Sequence, residues 1–404
     1  MLFVMKKLSK LPFIFLFIAS LIGLVLRWHY FQPIILFQYS FWLHAHSHVM
    51  FLGWIFNALS IAYVISFIPT PSQEKYKPIL YLLNFLVLGM LIAFPIQGYG
   101  VYSISISTVH TLVVVIFCIQ FFRDTKSDQL TIATWLARTS LIFFLISAIG
   151  PFVVGALAAN GLGQSDEYHL AVYYYLHFQY NGVFTFGIFA LLFHLLNERR
   201  IEFDLKKASK FRWLLFASCF PAYALSTLWA SPLLIINGIG FFAAITQLMA
   251  FYYFLRSIQS IKAKLKGGIS SSSYLLLKVS LLAFGIKLLL QLLSVYPSIA
   301  LLAYEVRFYV IAYLHLVLIG MISSFLIAYF AEWNGFPINK LSVYLLLIGF
   351  VTSELLMISV GRWPGFFNVS QWIFISSVVM VIGITGVVYS VIVTHKRKPT
   401  SNLN

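Results

Sequence analysis

The sequence predicts an all-α polytopic membrane protein of about twelve transmembrane helices, and three observations carry that prediction. Of the 404 residues, 61% are hydrophobic and only 9% are charged, which leaves a soluble chain of this length too little polar surface to cover itself. Apolar runs of about 20 residues, the length that crosses the hydrocarbon core as a helix, recur along the chain. The basic residues gather in alternate loops, the pattern that sets orientation in a membrane.

The spans fall near 11–27, 40–68, 79–97, 102–122, 132–157, 170–196, 211–230, 233–255, 273–294, 306–330, 341–360 and 370–394. Lys6, Lys7 and Lys10 precede the first, as in a secretory signal, but no small-residue cleavage site follows, so a retained span is expected. The 40 Phe suit lipid-facing and packed positions, and Tyr and Trp suit the interfaces.

The loops supply an independent check. Lys6, Lys7 and Lys10, Lys75 and Lys77, Arg123 and Lys126, the block from Arg199 to Arg212, Arg256 to Lys266, Lys340, and Lys396 to Lys398 all fall on one side of a twelve-span drawing. Opposite loops hold Arg27, Arg307 and Arg362 with the acidic pair Asp166 and Glu167. Both termini are therefore expected in the cytoplasm, with the chain in the plasma (inner) membrane. The net charge of +16 is a topology signal, since dispersed basic residues without a recognition module give no case for nucleic acid. Residues 1–395 are expected to form one transmembrane domain in the lipid bilayer, with 396–404 a disordered cytoplasmic tail and Gly267, Gly268 and the serines of 270–273 a flexible linker. Cys118 and Cys219 lie in separate spans and suggest neither a disulfide nor a thiolate site.

Histidine is where the chemistry concentrates. The stretch "FWLHAHSHVMFLGW" places His44, His46 and His48 in the second span, and His110, His177 and His315 stand in the fourth, sixth and tenth. All lie a few to about ten residues in from the outer end, in the outer half of the bilayer at 1.5 Å per residue. Any one of them reads as a hydrogen-bonded packing residue; six at one level mark a functional interior, because ionisable groups in hydrocarbon are costly. A repeat adds to this. His48 to Gly53, His177 to Gly182 and His315 to Gly320 share one spacing, each four spans from the next. That predicts three quasi-equivalent four-helix units in a pseudo-threefold arrangement, the Gly admitting a neighbouring helix or a flat ligand.

Two imidazoles from two helices clamp a haem iron, whereas copper asks for about three converging on one point. His44 and His48, four apart, share a helix face and His46 points away. The outer arginines Arg27, Arg307 and Arg362 suit the haem carboxylates, or equally sit as ordinary interfacial residues.

At these residues the chain resembles the catalytic subunit I of the haem-copper oxidases, which includes the nitric oxide reductases: twelve spans, histidines on the second, sixth and tenth, and an outer-loop Arg in "GRWPGF" at Arg362. The resemblance implies haem b held by His48 and His315, with His177 a ligand of copper or non-haem iron; by their positions His44, Arg307 and Arg362 are expected among the cofactor-binding residues. It implies an electron donor or other respiratory subunits as partners. A weaker likeness links "LHAHSHVMFLGW" to small haem- and copper-containing membrane proteins associated with nitric oxide tolerance. The departures are specific. The seventh span, "FRWLLFASCFPAYALSTLWA", has no His, Tyr313 stands where the family carries a second tenth-span His, and Asn181 lies where the family places a cross-linked Tyr or a Glu. The dinuclear centre is therefore expected to be absent or rebuilt, leaving electron transfer or binding of nitric oxide or oxygen rather than terminal-oxidase turnover. Lys287, Gln291 and Glu354 read as a proton path or as structural contacts. A second class stays open: a cofactor-free transporter or channel with a His-lined pathway, although transporters commonly show a two-fold inverted repeat.

The charge pattern makes a direct prediction. Reporter fusions and cysteine labelling should place the loop around Arg199 and both termini in the cytoplasm; an external Arg199 loop would overturn the topology.

Overall fold

The computed structural model describes residues 2–127, 130–230, 233–261, 267–360 and 368–393, and main-chain placement alone for 2–4 and 260. Arg362, His395 and the expected tail at 396–404 lie outside these residues. Among the described residues the chain is helical with no strands. Among the described residues, eleven helices are long and apolar enough to cross a membrane. Such a chain has to be helical, because hydrocarbon offers no partner to a backbone N–H or C=O and the helix pairs both within one segment.

Two compact units are formed. The first draws on Met1–Gln120, Ile269–Lys278 and Ser323–Asn404. It contains α1 (Leu2–Leu8), α2 (Leu11–Phe31), α3 (Tyr39–His48) continuing through a π-helical turn (Val49–Phe56) into α4 (Asn57–Phe67), α5 (Lys77–Gln97) and most of α6 (Val101–Asp124). The second draws on Phe121–Gly268 and Val279–Ile322. It contains α7 (Ile132–Ser147), α8 (Ile149–Ala159), α9 (Asp166–His177) continuing through a π-helical turn (Phe178–Phe184) into α10 (Thr185–Glu198), α11 (Leu205–Cys219) and α12 (Leu234–Ser257). Most of α13 (Ser271–Leu293), α14 (Pro297–Glu305) and α15 (Arg307–His315) also belong to it. A third π-helical turn (Leu316–Ser323) leads from α15 to α16 (Ser324–Asn334), which with α17 (Lys340–Val360) and α18 (Val369–Val393) returns to the first unit.

Helix α5 shows how lipid replaces water as the outer solvent. Leu80, Leu83, Val87, Met90 and Phe94, spaced three and four apart, are buried. The opposite stripe of Phe85, Ile92 and Ile96 is 69%, 64% and 74% exposed, and it is equally apolar. In the first unit, Phe13 of α2 meets Trp54 edge-on at 4.9 Å and Phe330 of α16 at 5.8 Å. Trp54 Nε1 donates to Ser323 Oγ at 2.8 Å, giving the buried indole its partner. In the second, Phe189 contacts Phe211, Phe254 and Phe284 at 4.8, 4.8 and 5.2 Å.

Two expectations change. The seventh span, read at 211–230, is broken: α11 stops at Cys219 and a 3₁₀ turn covers Pro221–Ser226. Pro221 has no N–H to donate and its ring crowds the preceding turn, which favours a break in the α-helix there. The serines of 270–273, read as linker, instead open α13, where Ser270 Oγ accepts from Ser273 N at 3.2 Å as a helix cap. Outside the spans, Asp204 caps α11 by accepting from Lys207 N at 3.0 Å. The Lys207 hydrogen bond holds the Asp204 carboxyl below the usual carboxylate range.

The α17–α18 pair approaches closely through glycine. A Cβ on Gly383 would fall within 3.0 Å of the Leu346 and Ser342 backbone, and one on Gly349 within 3.0 Å of the Met380 and Ser376 backbone. Backbone cannot step aside as a side-chain tip can. Gly383→Val should therefore lower the unfolding midpoint in detergent by the equivalent of ~1–3 kcal/mol, the usual range for overpacking, while Gly155→Val, with open space around it, should leave the midpoint unchanged.

Candidate functional site

The three His-x4-Gly motifs share one local structure. His48, His177 and His315 each end an α-helix, and the next residue in each case begins a π-helical turn: Val49, Phe178 and Leu316. The i→i+5 bond of a π turn spans the same five residues as the motif, and such turns recur at functional sites. After the first, Asn57 N reaches back to Leu52 O, five residues before. In the second, the Thr185 hydroxyl donates to Tyr180 O at 2.6 Å and Ser140 of α7 donates to Val183 O at 2.7 Å, so carbonyls displaced from the α pattern are still satisfied. At Gly53 the absent side chain makes room for Val87 and Phe15, and at Gly182 for Phe143. In both places the neighbour admitted is a side chain of a packed helix.

In the first unit the second-span histidines separate by face as the helical period requires. His44 and His48 both turn toward Phe94 and Tyr99: the His48 ring stacks on Phe94 at 4.3 Å and 17°, and the His44 ring lies 4.3 Å from Tyr99. His46 points the other way, its Nδ1 bonded to Ala19 O at 2.8 Å beside Gly23 of α2. It is thereby a packing residue. His48 Nε2 reaches Tyr99 Oη at 3.5 Å, the limit of a hydrogen bond, and its buried Nδ1 has no partner among the described residues. His110 of α6 is 0% exposed, and neither of its ring nitrogens has a partner among them. Arg27, also buried, donates to Met357 Sδ at 2.9 Å and faces Glu354.

In the second unit His177 is fully engaged. Its Nε2 lies 2.9 Å from Cys219 O, and because a carbonyl only accepts, Nε2 carries the proton. Nδ1 is then the acceptor for Asn181 Nδ2 at 3.0 Å. The Cys219 carbonyl is available because Tyr223 N bonds to Phe220 O in the turn after Pro221. So His177 closes the helix break that the sequence leaves in the seventh span, and a metal at His177 would have to displace one of these two bonds. The Tyr180 and Tyr313 rings meet edge-on at 5.9 Å. Lys287 is 2% exposed, with its ammonium 5.4 Å from the Phe284 ring centre. Among the described residues, no three or more His, Cys, Asp or Glu side chains gather as a metal-binding group.

Sequence reasoning placed His110 in the histidine layer without giving it a partner, and it missed Asn57 and Ser60, which are fully buried in α4 with unpaired polar atoms. Single polar residues in an apolar run carry no periodic signal of their own.

Removing the imidazole at His177 should act on stability. His177→Ala strands a buried carbonyl and a buried amide, so the detergent unfolding midpoint should fall by the equivalent of ~1–3 kcal/mol, with Asn181→Ala smaller in the same direction. An unchanged midpoint for His177→Ala would refute this bonding role.

Neither a known protein-family model nor a curated protein matches the sequence.

Proposed function

We propose that this chain is a haem b-binding integral membrane protein that transfers electrons or binds a diatomic gas, nitric oxide or oxygen, with His48 as one axial imidazole. The observation that carries this reading is the triple recurrence of a histidine set immediately before a π turn in three membrane-length helices. Local geometry at His48 fits an axial ligand. The ring is held by stacking on Phe94, its Nε2 has only a long contact, and His44 stands on the same face. Haem would supply one-electron redox chemistry or an iron site for a gas. The protein's part is to fix the imidazole plane and to surround it with Phe94 and Tyr99, which limit water at the site. From the resemblance come His315 as the expected opposite ligand, Arg307 and Arg362 as expected carboxylate partners, and an electron donor or other respiratory subunits as partners. The basic loops support an inner-membrane position with both termini inside.

An absorption spectrum of protein purified from its membrane tests the reading. The parent should show sharp reduced α and Soret bands, and His48→Ala should lose them or shift them to a high-spin form. A parent without a Soret band would overturn the reading and favour transport, for which the buried Lys287 is the supporting observation.

A further inference from the structure

Two imidazoles in the first unit lack the partners that every buried polar group seeks. An unpaired polar atom in an apolar interior costs on the order of 1–3 kcal/mol, and native structures rarely leave one without a water, an ion or a ligand. His110 has two such nitrogens and is completely buried, and His48 has a buried Nδ1 without a partner. The pair also lies in one unit. His48 is the tenth residue of α3 and His110 the tenth of α6, counting from Tyr39 and Val101. The chain passes back once between them, in α5, so both helices run the same way. At 1.5 Å per residue each histidine lies about 14 Å along its helix. The walls are aromatic: Phe94 stacks on His48, and the Phe56 ring meets His110 edge-on at 6.3 Å. His110 thus stands against the second span, the span that carries His48. Two imidazoles with buried, unpaired nitrogens, both set among aromatic rings within one unit, make a donor set for a transition-metal ion that takes nitrogen ligands.

We propose that His110, in place of the His315 that the resemblance offers, supplies the second imidazole to the centre that includes His48, so that the second and fourth spans hold the metal within one unit. The identity of that metal as haem iron rests on the reading above; the pairing of His48 with His110 does not. His44, one turn before His48 beside Tyr99, belongs to the surrounding wall.

The test compares His110→Ala, His110→Gln, His48→Ala and His315→Ala with the parent, each as the full chain purified in detergent and shown monodisperse. Iron and copper content are measured alongside the ferric and reduced spectra. His110→Ala and His48→Ala should lose the same metal, or convert a low-spin iron to high-spin, by at least about tenfold relative to the parent. His315→Ala should keep it. Added imidazole should restore the low-spin bands in His110→Ala, a rescue that a purely packing residue would not show. Should the Ala variant fail to fold, the Gln variant, close in size and polar but without imidazole, decides. Parental metal content and low-spin bands in His110→Gln, or loss confined to His315→Ala and His48→Ala, would overturn the proposal. Stoichiometric copper without haem, lost on changing either His48 or His110, would uphold the pairing and refute the haem reading, and a parent free of metal would refute both.

Discussion

Hydrocarbon provides no hydrogen bonds, and nearly every feature of this protein follows from that constraint. Backbone groups are paired by making the chain helical. Hydroxyls are paired locally: Ser377 and Ser390 donate to carbonyls four residues back on their own helix, and Ser147 to one three residues back. Imidazoles are larger and more directional, so their partners come mainly from other segments. His46 finds Ala19 and His177 finds Cys219 and Asn181. His48 and His110 keep nitrogens that the described protein does not satisfy, and this division, more than the number of histidines, separates packing imidazoles from candidate ligands.

The same constraint shapes the breaks in the helices. Pro221 ends α11 inside an apolar stretch, which would leave a carbonyl stranded, and His177 from α9 supplies the missing donor. In the second π turn the hydroxyls of Thr185 and Ser140 take up displaced carbonyls. Irregular backbone persists at membrane depth only where side chains repair it.

Architecture was legible in the sequence because it is written in averages. Length, hydropathy and the charge of loops each sum over many residues, so a span such as 132–157 was legible even where a single turn at Ala148 divides α7 from α8. The facing of His44 and His48 away from His46 followed from the 3.6-residue period alone. What failed depended on single atoms. An apolar run through Pro221 looks like a span until the missing N–H is considered, and the serines before α13 look like linker until one of them caps a helix. Nor did the residues announce π turns, for "VMFLGWIF" and "FQYNGVF" suit an α-helix equally well. The resemblance offers His177 as a metal ligand; the carbonyl that engages it lies 42 residues away and is invisible to spacing.

The π turns carry a mechanical consequence. Each holds one more residue per bond than the α-helix around it, so the segment before it and the segment after it are joined out of phase. Reverting such a turn to α geometry would swing the preceding segment by about 100°, one residue's share of a 3.6-residue turn, with little change in helix length. In all three cases that preceding segment ends in the histidine. The imidazole therefore sits at the end of a lever whose pivot is the adjoining turn, and it can be re-aimed without moving the half-helix beyond.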